Sequence, residues 1–241
     1  MSHAIDQEVL DRIATYDVPT ISNAIEFFGL RSRIEGFAGP SVRSMFAESI
    51  TRIGFASTAK VSASQPPTDD QKGLLGQHFE SIREAPKPTL AVIQDTDQRP
   101  VGSFWGEVNA TVHLSLGCVG VVTNGGVRDL EEVRSLGFGY YASCVLVSHG
   151  YIHVEAVGVP VTIDGLAVNP GDLLAADQHG VVSIPLKIAN RLPAACAHAA
   201  AAERPVLDPC ERLLKEGKLA DVNDLVSWRK EMVKLRNSFQ G

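Results

Sequence analysis

The run Gly117-Cys118-Val119-Gly120-Val121-Val122-Thr123-Asn124-Gly125-Gly126-Val127-Arg128-Asp129 constrains the fold of this chain more than any other segment. Residues 117–123 read as a buried strand, and Gly125-Gly126 let the backbone turn sharply and approach a ligand. Residues 130–136 then read as a short helix and 140–147 as a further strand. This β-turn-α-β texture indicates an α/β sheet, in which ligands bind at the carboxyl ends of strands.

The flanks fit one α/β unit. Ile5, Val9, Leu10 and Ile13 recur at helical spacing, and a second short helix follows Pro19-Thr20, with Gly29 as its stop. Strands are expected at 53–62 and 89–94, with a polar loop at 64–72 that contains Pro66-Pro67. Further β-rich stretches cover 153–163 and 173–184, broken by Asn169-Pro170-Gly171-Asp172 and by His179-Gly180. The last fifth reads as helical. Residues 194–202 are alanine-rich, and Asp208-Pro209-Cys210-Glu211 has the form of an N-cap, an N1 proline and a capping-box carboxylate. Leu225, Trp228, Met232 and Leu235 form one apolar stripe, suited to packing on its own domain or on a neighbouring subunit. The expected division is an α/β domain over 1–190 and a helical C-terminal arm over 191–241, both part of the same unit.

Composition narrows the function classes. With 241 residues, 44% hydrophobic, 21% charged and a net charge of −6, the chain has the makeup of a globular protein. It shows no basic footprint for nucleic acid or an anionic membrane surface. Residues 1–9 lack the apolar segment of a signal peptide, and no stretch approaches the roughly 20 apolar residues of a membrane span. A cytoplasmic location is expected. Cys118, Cys144, Cys196 and Cys210 form no C-x-x-C pair, which favours small buried hydrophobes over a zinc or redox site.

Chemistry is most plausible at Arg128-Asp129. Arg128 offers a rigid fork for a carboxylate, and Asp129 a hard oxygen ligand for a divalent cation. The same pair also suits a surface ion pair with Asp129 capping the helix from residue 130, and spacing alone leaves the two readings level. Upstream, Phe104-Trp105-Gly106-Glu107 places a glycine and free amides at a helix start, where an anion is held, with Glu107 as a second acid; taken alone, a core tryptophan and a first-turn carboxylate explain it as well. Asn124-Gly125-Gly126 lacks the dinucleotide and P-loop patterns. His149, His153 and His179 stand apart, as structural histidines do, and Ser148 and Cys144 lack a nucleophile elbow.

Several motifs together resemble the RraA-like family, which contains divalent-metal-dependent 4-hydroxy-4-methyl-2-oxoglutarate aldolases and the regulator of ribonuclease E activity. They are Pro19-Thr20-Ile21-Ser22-Asn23-Ala24, Gly54-Phe55-Ala56-Ser57-Thr58-Ala59, Trp105-Gly106-Glu107, the 117–129 run, Pro170-Gly171-Asp172-Leu173 and Asp177-Gln178-His179-Gly180-Val181-Val182. They fall in the family's order over roughly residues 15–185.

The resemblance implies a single domain of the swivelling β/β/α type with a helical N-terminal segment and a helical C-terminal arm, assembled as a homotrimer or homohexamer. Arg128 would grip the substrate carboxylate, Asp129 would hold Mg²⁺ or Mn²⁺, and Glu107 would sit near the metal through water. The backbone of Gly106, Glu107, Val108 and Asn109 would face the pyruvoyl group. Glu35 and Glu211 are candidate acids lent to a neighbouring subunit. The implied activity is that of a pyruvate aldolase acting on 4-hydroxy-2-oxo acids, with oxaloacetate decarboxylation as a side reaction and no organic cofactor. The alternative is a non-catalytic regulator of ribonuclease activity. Because the family's regulator lacks the aspartate after the arginine, Asp129 favours the aldolase branch. Ser148-His149-Gly150-Tyr151 and the 95–102 loop depart from the aldolase pattern.

Overall fold

The computed structural model describes residues 5–47 and 50–240. In chain order the elements are α1 (Gln7–Ala14), α2 (Val18–Glu26), β1 (Arg43–Ser44), β2 (Arg52–Ser62), α3 (Leu74–Glu84), β3 (Thr89–Asp95), α4 (Glu107–Ser115), β4 (Cys118–Thr123), β5 (Gly126–Val127) and α5 (Leu130–Ser135). There follow β6 (Gly139–Ala142), β7 (Cys144–Val145), β8 (His153–Val157), β9 (Val161–Ile163), β10 (Leu166–Val168), β11 (Leu173–Asp177), β12 (Gly180–Ile184), a 3₁₀ segment (Leu186–Arg191), α6 (Leu192–Lys215) and α7 (Val222–Arg236). The chain is a mixed α/β protein with helices at both termini. Two compact units share these elements: residues 34–186 form the sheet unit, and residues 5–33 and 187–240 form a helical unit.

Within the sheet unit an eight-stranded mixed sheet runs β1-β6-β4-β3-β2-β11-β12, with β8 also paired to β2. β2, β3, β4 and β6 are parallel neighbours. β2 is long enough, at 11 residues, to carry β11 along its first half and β8 along its second. Side chains of β3 alternate between the faces, as strand geometry requires. Ala91 and Ile93 join Ile82 of α3, Ala110 of α4 and Val133 of α5, whereas Leu90 and Val92 meet Val161, Ile163, Leu166 and Val168 of the β9–β10 hairpin. Burying each of these larger aliphatic side chains contributes about 1.5–3 kcal/mol.

The expected strand over 140–147 divides into β6 and β7. Ser143 leaves the ladder to bond the turn, its amide donating to Gly125 O at 3.2 Å and its hydroxyl to Asn124 O at 2.7 Å. The stretch 153–163 likewise divides, at Gly158 with φ +65° and at Pro160. Helix α3 was not foreseen, because its inward positions include His78, a polar residue on an otherwise apolar stripe.

In the helical unit the largest correction concerns Asp208-Pro209: no helix starts there. α6 continues through both Pro205 and Pro209. Each proline removes one hydrogen bond, and both fall where α6 is largely exposed, over residues 203–216, so the freed carbonyls are not shut away in a core. Asp208 pairs with Arg204 instead of capping. Gly217, at φ +63°, does end the helix. Leu225, Trp228, Met232 and Leu235 are half-buried on α7, which packs against α6 and whose Leu235 carbonyl accepts from His198 Nε2 at 2.8 Å. Cys118 and Cys196 are buried, Cys144 and Cys210 half-buried, and all four are free thiols. Among the described residues no helix is long and apolar enough to cross a membrane.

Candidate functional site

Two loops leave the carboxyl ends of neighbouring parallel strands and cross. One follows β3 and ends at Gly106; the other follows β4 and ends at Asp129. Their backbones are tied together, since Trp105 bridges Val127 in parallel and the Arg128 amide donates to Trp105 O at 3.1 Å. The second loop is pinned at its start. The Asn124 side chain accepts from the Asp95 amide at 2.8 Å and donates to Asp95 O at 2.9 Å, so it substitutes for a rung of the ladder.

At the crossing, Asp129 occupies the left-handed region, φ 56° and ψ 49°. For a residue with a Cβ this costs on the order of 1–3 kcal/mol, and such strain concentrates at functional sites. Asp129 stands at the N-cap position of α5 yet makes no cap bond there. Its Oδ2 instead accepts from the Glu107 amide at 2.9 Å and lies 3.8 Å from Arg128 Nε. Gly106 makes this approach possible: a Cβ there would lie 2.5 Å from Asp129 Oδ2 and 3.1 Å from Arg128 Nε. The carboxylate therefore ties the start of α4 to the second loop, which a simple cap of α5 would not do.

What the crossing offers a ligand follows from what these bonds leave over. Arg128 and Asp129 are each 37% exposed, and Asp129 Oδ1, the Arg128 fork and the Glu107 carboxylate have no hydrogen-bond partner among the described residues. Asp129 has satisfied the first amide of α4, so the Val108 and Asn109 amides remain at the helix start. Among the described residues no group of three His, Cys, Asp or Glu side chains is placed to hold an ion. One free carboxylate oxygen fits a hard cation such as Mg²⁺, which keeps several waters and takes further oxygens from its substrate.

Beneath the crossing lies a polar cluster that the sequence reading missed. His78 Nε2 and His113 Nε2 are 2.8 Å apart and fully buried. His113 Nδ1 faces the Asn109 carbonyl at 2.6 Å, so Nδ1 donates, Nε2 accepts, and the His78 Nε2–H is the donor between the rings. Burial pushes the His78 pKa down to about 3 and that of His113 to about 4, and both rings are neutral at physiological pH. His78 Nδ1, Trp105 Nε1 and the Tyr140 hydroxyl are buried without a partner among the described residues. Burial, and then the charge of Asp129, raise the Tyr140 hydroxyl pKa. Burial also pushes Asp95, at the end of β3, up to about 6. These partners lie tens of residues apart, so no local spacing announces them.

The remaining sequence candidates lie elsewhere. Glu35 is exposed beside the β12 edge, where Gly36 O accepts from the Ser183 amide at 2.8 Å. Glu211 lies 3.5 Å from Arg204 on α6. His149 and His153 bond nearby carbonyls, and His179 lies 3.2 Å from the buried Asp177.

Comparison with known proteins gives this geometry a context. The 4-hydroxy-4-methyl-2-oxoglutarate aldolase of Thermus thermophilus is 36% identical over 70 residues, 29% of this chain and 43% of that protein. The chain spans less than two thirds of the length of the curated relatives it matches. An uncharacterized protein from Pseudomonas syringae pv. tomato has a similar fold, with TM-score 0.71 at 23% identity over 95% of this chain and 96% of that one. So does RraAS2 of Streptomyces coelicolor, described as an unusual member of the RNase ES inhibitor RraA protein family, with TM-score 0.65 at 19% identity over 88% and 98%. The sequence model of the RraA-like family, Aldolase/RraA, matches residues 18–183, and the chain belongs to that family.

Proposed function

We propose that the loop crossing is the active site of a divalent-metal-dependent lyase of the pyruvate aldolase type. It would cleave 4-hydroxy-2-oxo acids such as 4-hydroxy-4-methyl-2-oxoglutarate, with oxaloacetate decarboxylation as a side activity. The observation that carries this reading is Asp129: a strained carboxylate, held by the Glu107 amide beside Arg128, with one oxygen left over. The relative named as an aldolase supports the reaction class.

Asp129 Oδ1 would hold Mg²⁺ or Mn²⁺, joined by a neighbouring subunit's Glu35 or Glu211 in a homotrimer or homohexamer. When bound, the ion supplies Lewis-acid polarisation of the 2-oxo group. Arg128 takes the substrate carboxylate on its fork and fixes the plane of the 2-oxo acid. The Val108 and Asn109 amides face the oxygen on which negative charge develops. Glu107 removes the proton of the C4 hydroxyl. As that oxygen becomes a carbonyl, the C3–C4 bond breaks and its electron pair forms the enolate of pyruvate, which protonation at C3 converts to pyruvate. Loss of carbon dioxide from oxaloacetate leaves the same enolate, so one set of residues serves both reactions.

Pyruvate release from both compounds, measured first with EDTA and then with added Mg²⁺ or Mn²⁺, tests the proposal. Metal-restored turnover is the expected result. Absence of turnover and of metal binding would favour the non-catalytic regulator.

A further inference from the structure

The helical unit holds a hollow of about 510 Å³ that is lined by none of the residues proposed for this chemistry. Its apolar wall is Phe27, Phe28 and Phe239 with Leu30 and Ile188; Lys187 and Arg191 supply its charge. The wall is built rather than incidental. Phe239 stacks on Phe27 at 5.2 Å and meets Phe28 edge-on at 5.8 Å, and His198 lies 5.3 Å from the Phe239 ring.

A second hollow beside it shares Phe27 and Phe239 and is lined also by Arg33, Arg236 and Glu26. There both guanidiniums are committed, since Glu26 Oε2 lies 3.3 Å from Arg33 Nε and 2.8 Å from Arg236 Nη2. In the larger hollow neither cation has a carboxylate partner among the described residues. Arg191 Cζ lies 4.7 Å from the centroid of the Phe28 ring, which anchors the guanidinium beside the hollow.

We propose that the larger hollow binds a small amphipathic oxyanion, a carboxylate or phosphate head on an aryl or branched-alkyl body. The body lies against the half-buried edges of Phe27, Phe28 and Phe239, whose ring faces meet one another and Arg191, and the head meets the Arg191 fork and the Lys187 ammonium. A bare anion would leave the aromatic wall wet, and a neutral apolar molecule would leave two cations uncompensated. The volume lies within the range of small-molecule sites.

Calorimetric titration of the full-length protein tests this with phenylacetate, phenyl phosphate, phenylacetamide and inorganic phosphate. Phenylacetate or phenyl phosphate should bind at least about tenfold tighter than phenylacetamide and than inorganic phosphate, and the tighter of the two identifies the head group. Lys187→Gln and Arg191→Gln should each weaken that binding about five- to tenfold with unchanged circular dichroism, and Lys187→Gln, which leaves the Phe28 stack in place, guards against misfolding. Arg128→Ala should leave it unchanged. Equal binding of phenylacetamide, equal binding of inorganic phosphate, loss of binding in Arg128→Ala, or no binding by any probe would each overturn the proposal.

Discussion

The loop crossing and helix α7 sit at opposite ends of constraint. At the crossing, backbone bonds and one glycine leave Asp129 a single position, at a cost in backbone strain. α7 spans fifteen residues without one buried side chain. Chemistry needs groups held to within a fraction of an ångström, and the sheet supplies that by bonding its loops to each other. A helix held by one half-buried stripe tolerates change along most of its surface.

Substitutions can test how deep that contrast runs. Asp129→Ala should cost the most, about 10³-fold in turnover with circular dichroism unchanged, because it removes both the proposed metal ligand and the bond to α4. Gly106→Ala should cost about 10²-fold, since its Cβ would displace Asp129 or Arg128 from the geometry seen here. Arg128→Ala should act mainly on KM, and Glu107→Gln should lower kcat about 10²-fold, less than Asp129→Ala. A loss at Glu107 larger than that at Asp129 would make Glu107 the metal ligand.

A smaller effect concerns the buried histidines. Their folded pKa values lie below the unfolded 6.5, so the folded state binds fewer protons and stability falls as pH drops below about 6.5. Each histidine contributes up to about 1.4 kcal/mol per pH unit. Asp95, raised to about 6, opposes them between pH 6 and 4, one group against two. Urea unfolding at pH 7.5 and 5 should show the net loss, and His78→Gln, which keeps a donor toward His113, should remove well over half of it, because Asp95 still opposes the remaining histidine. The smallest change, within about 0.5 kcal/mol, is expected for Val226→Ser or Val233→Ser on the exposed side of α7. A loss of several kcal/mol there would mean that the helix is covered in solution.

The same contrast governs how much the sequence reveals. Val121-Val122-Thr123 and Asn124-Gly125-Gly126 announce a strand and a turn because their demands are local, and Arg128, Asp129 and Gly106 are legible for the same reason. That Asp129 would reach across 22 residues to the Glu107 amide was not legible. Neither was the pairing of His78 with His113, 35 residues apart. Pro209 carries a helix-starting signal, but it falls in the exposed second half of α6, where the helix runs through it.

The most direct measurement is manganese binding, followed by the electron paramagnetic resonance of the free ion with pyruvate present, in the wild type and in Asp129→Ala. The expected result is an ion bound by the wild type and left free by the variant. Equal binding by both would contradict the assignment of Asp129 as the metal carboxylate and, with it, the proposed role of the loop crossing.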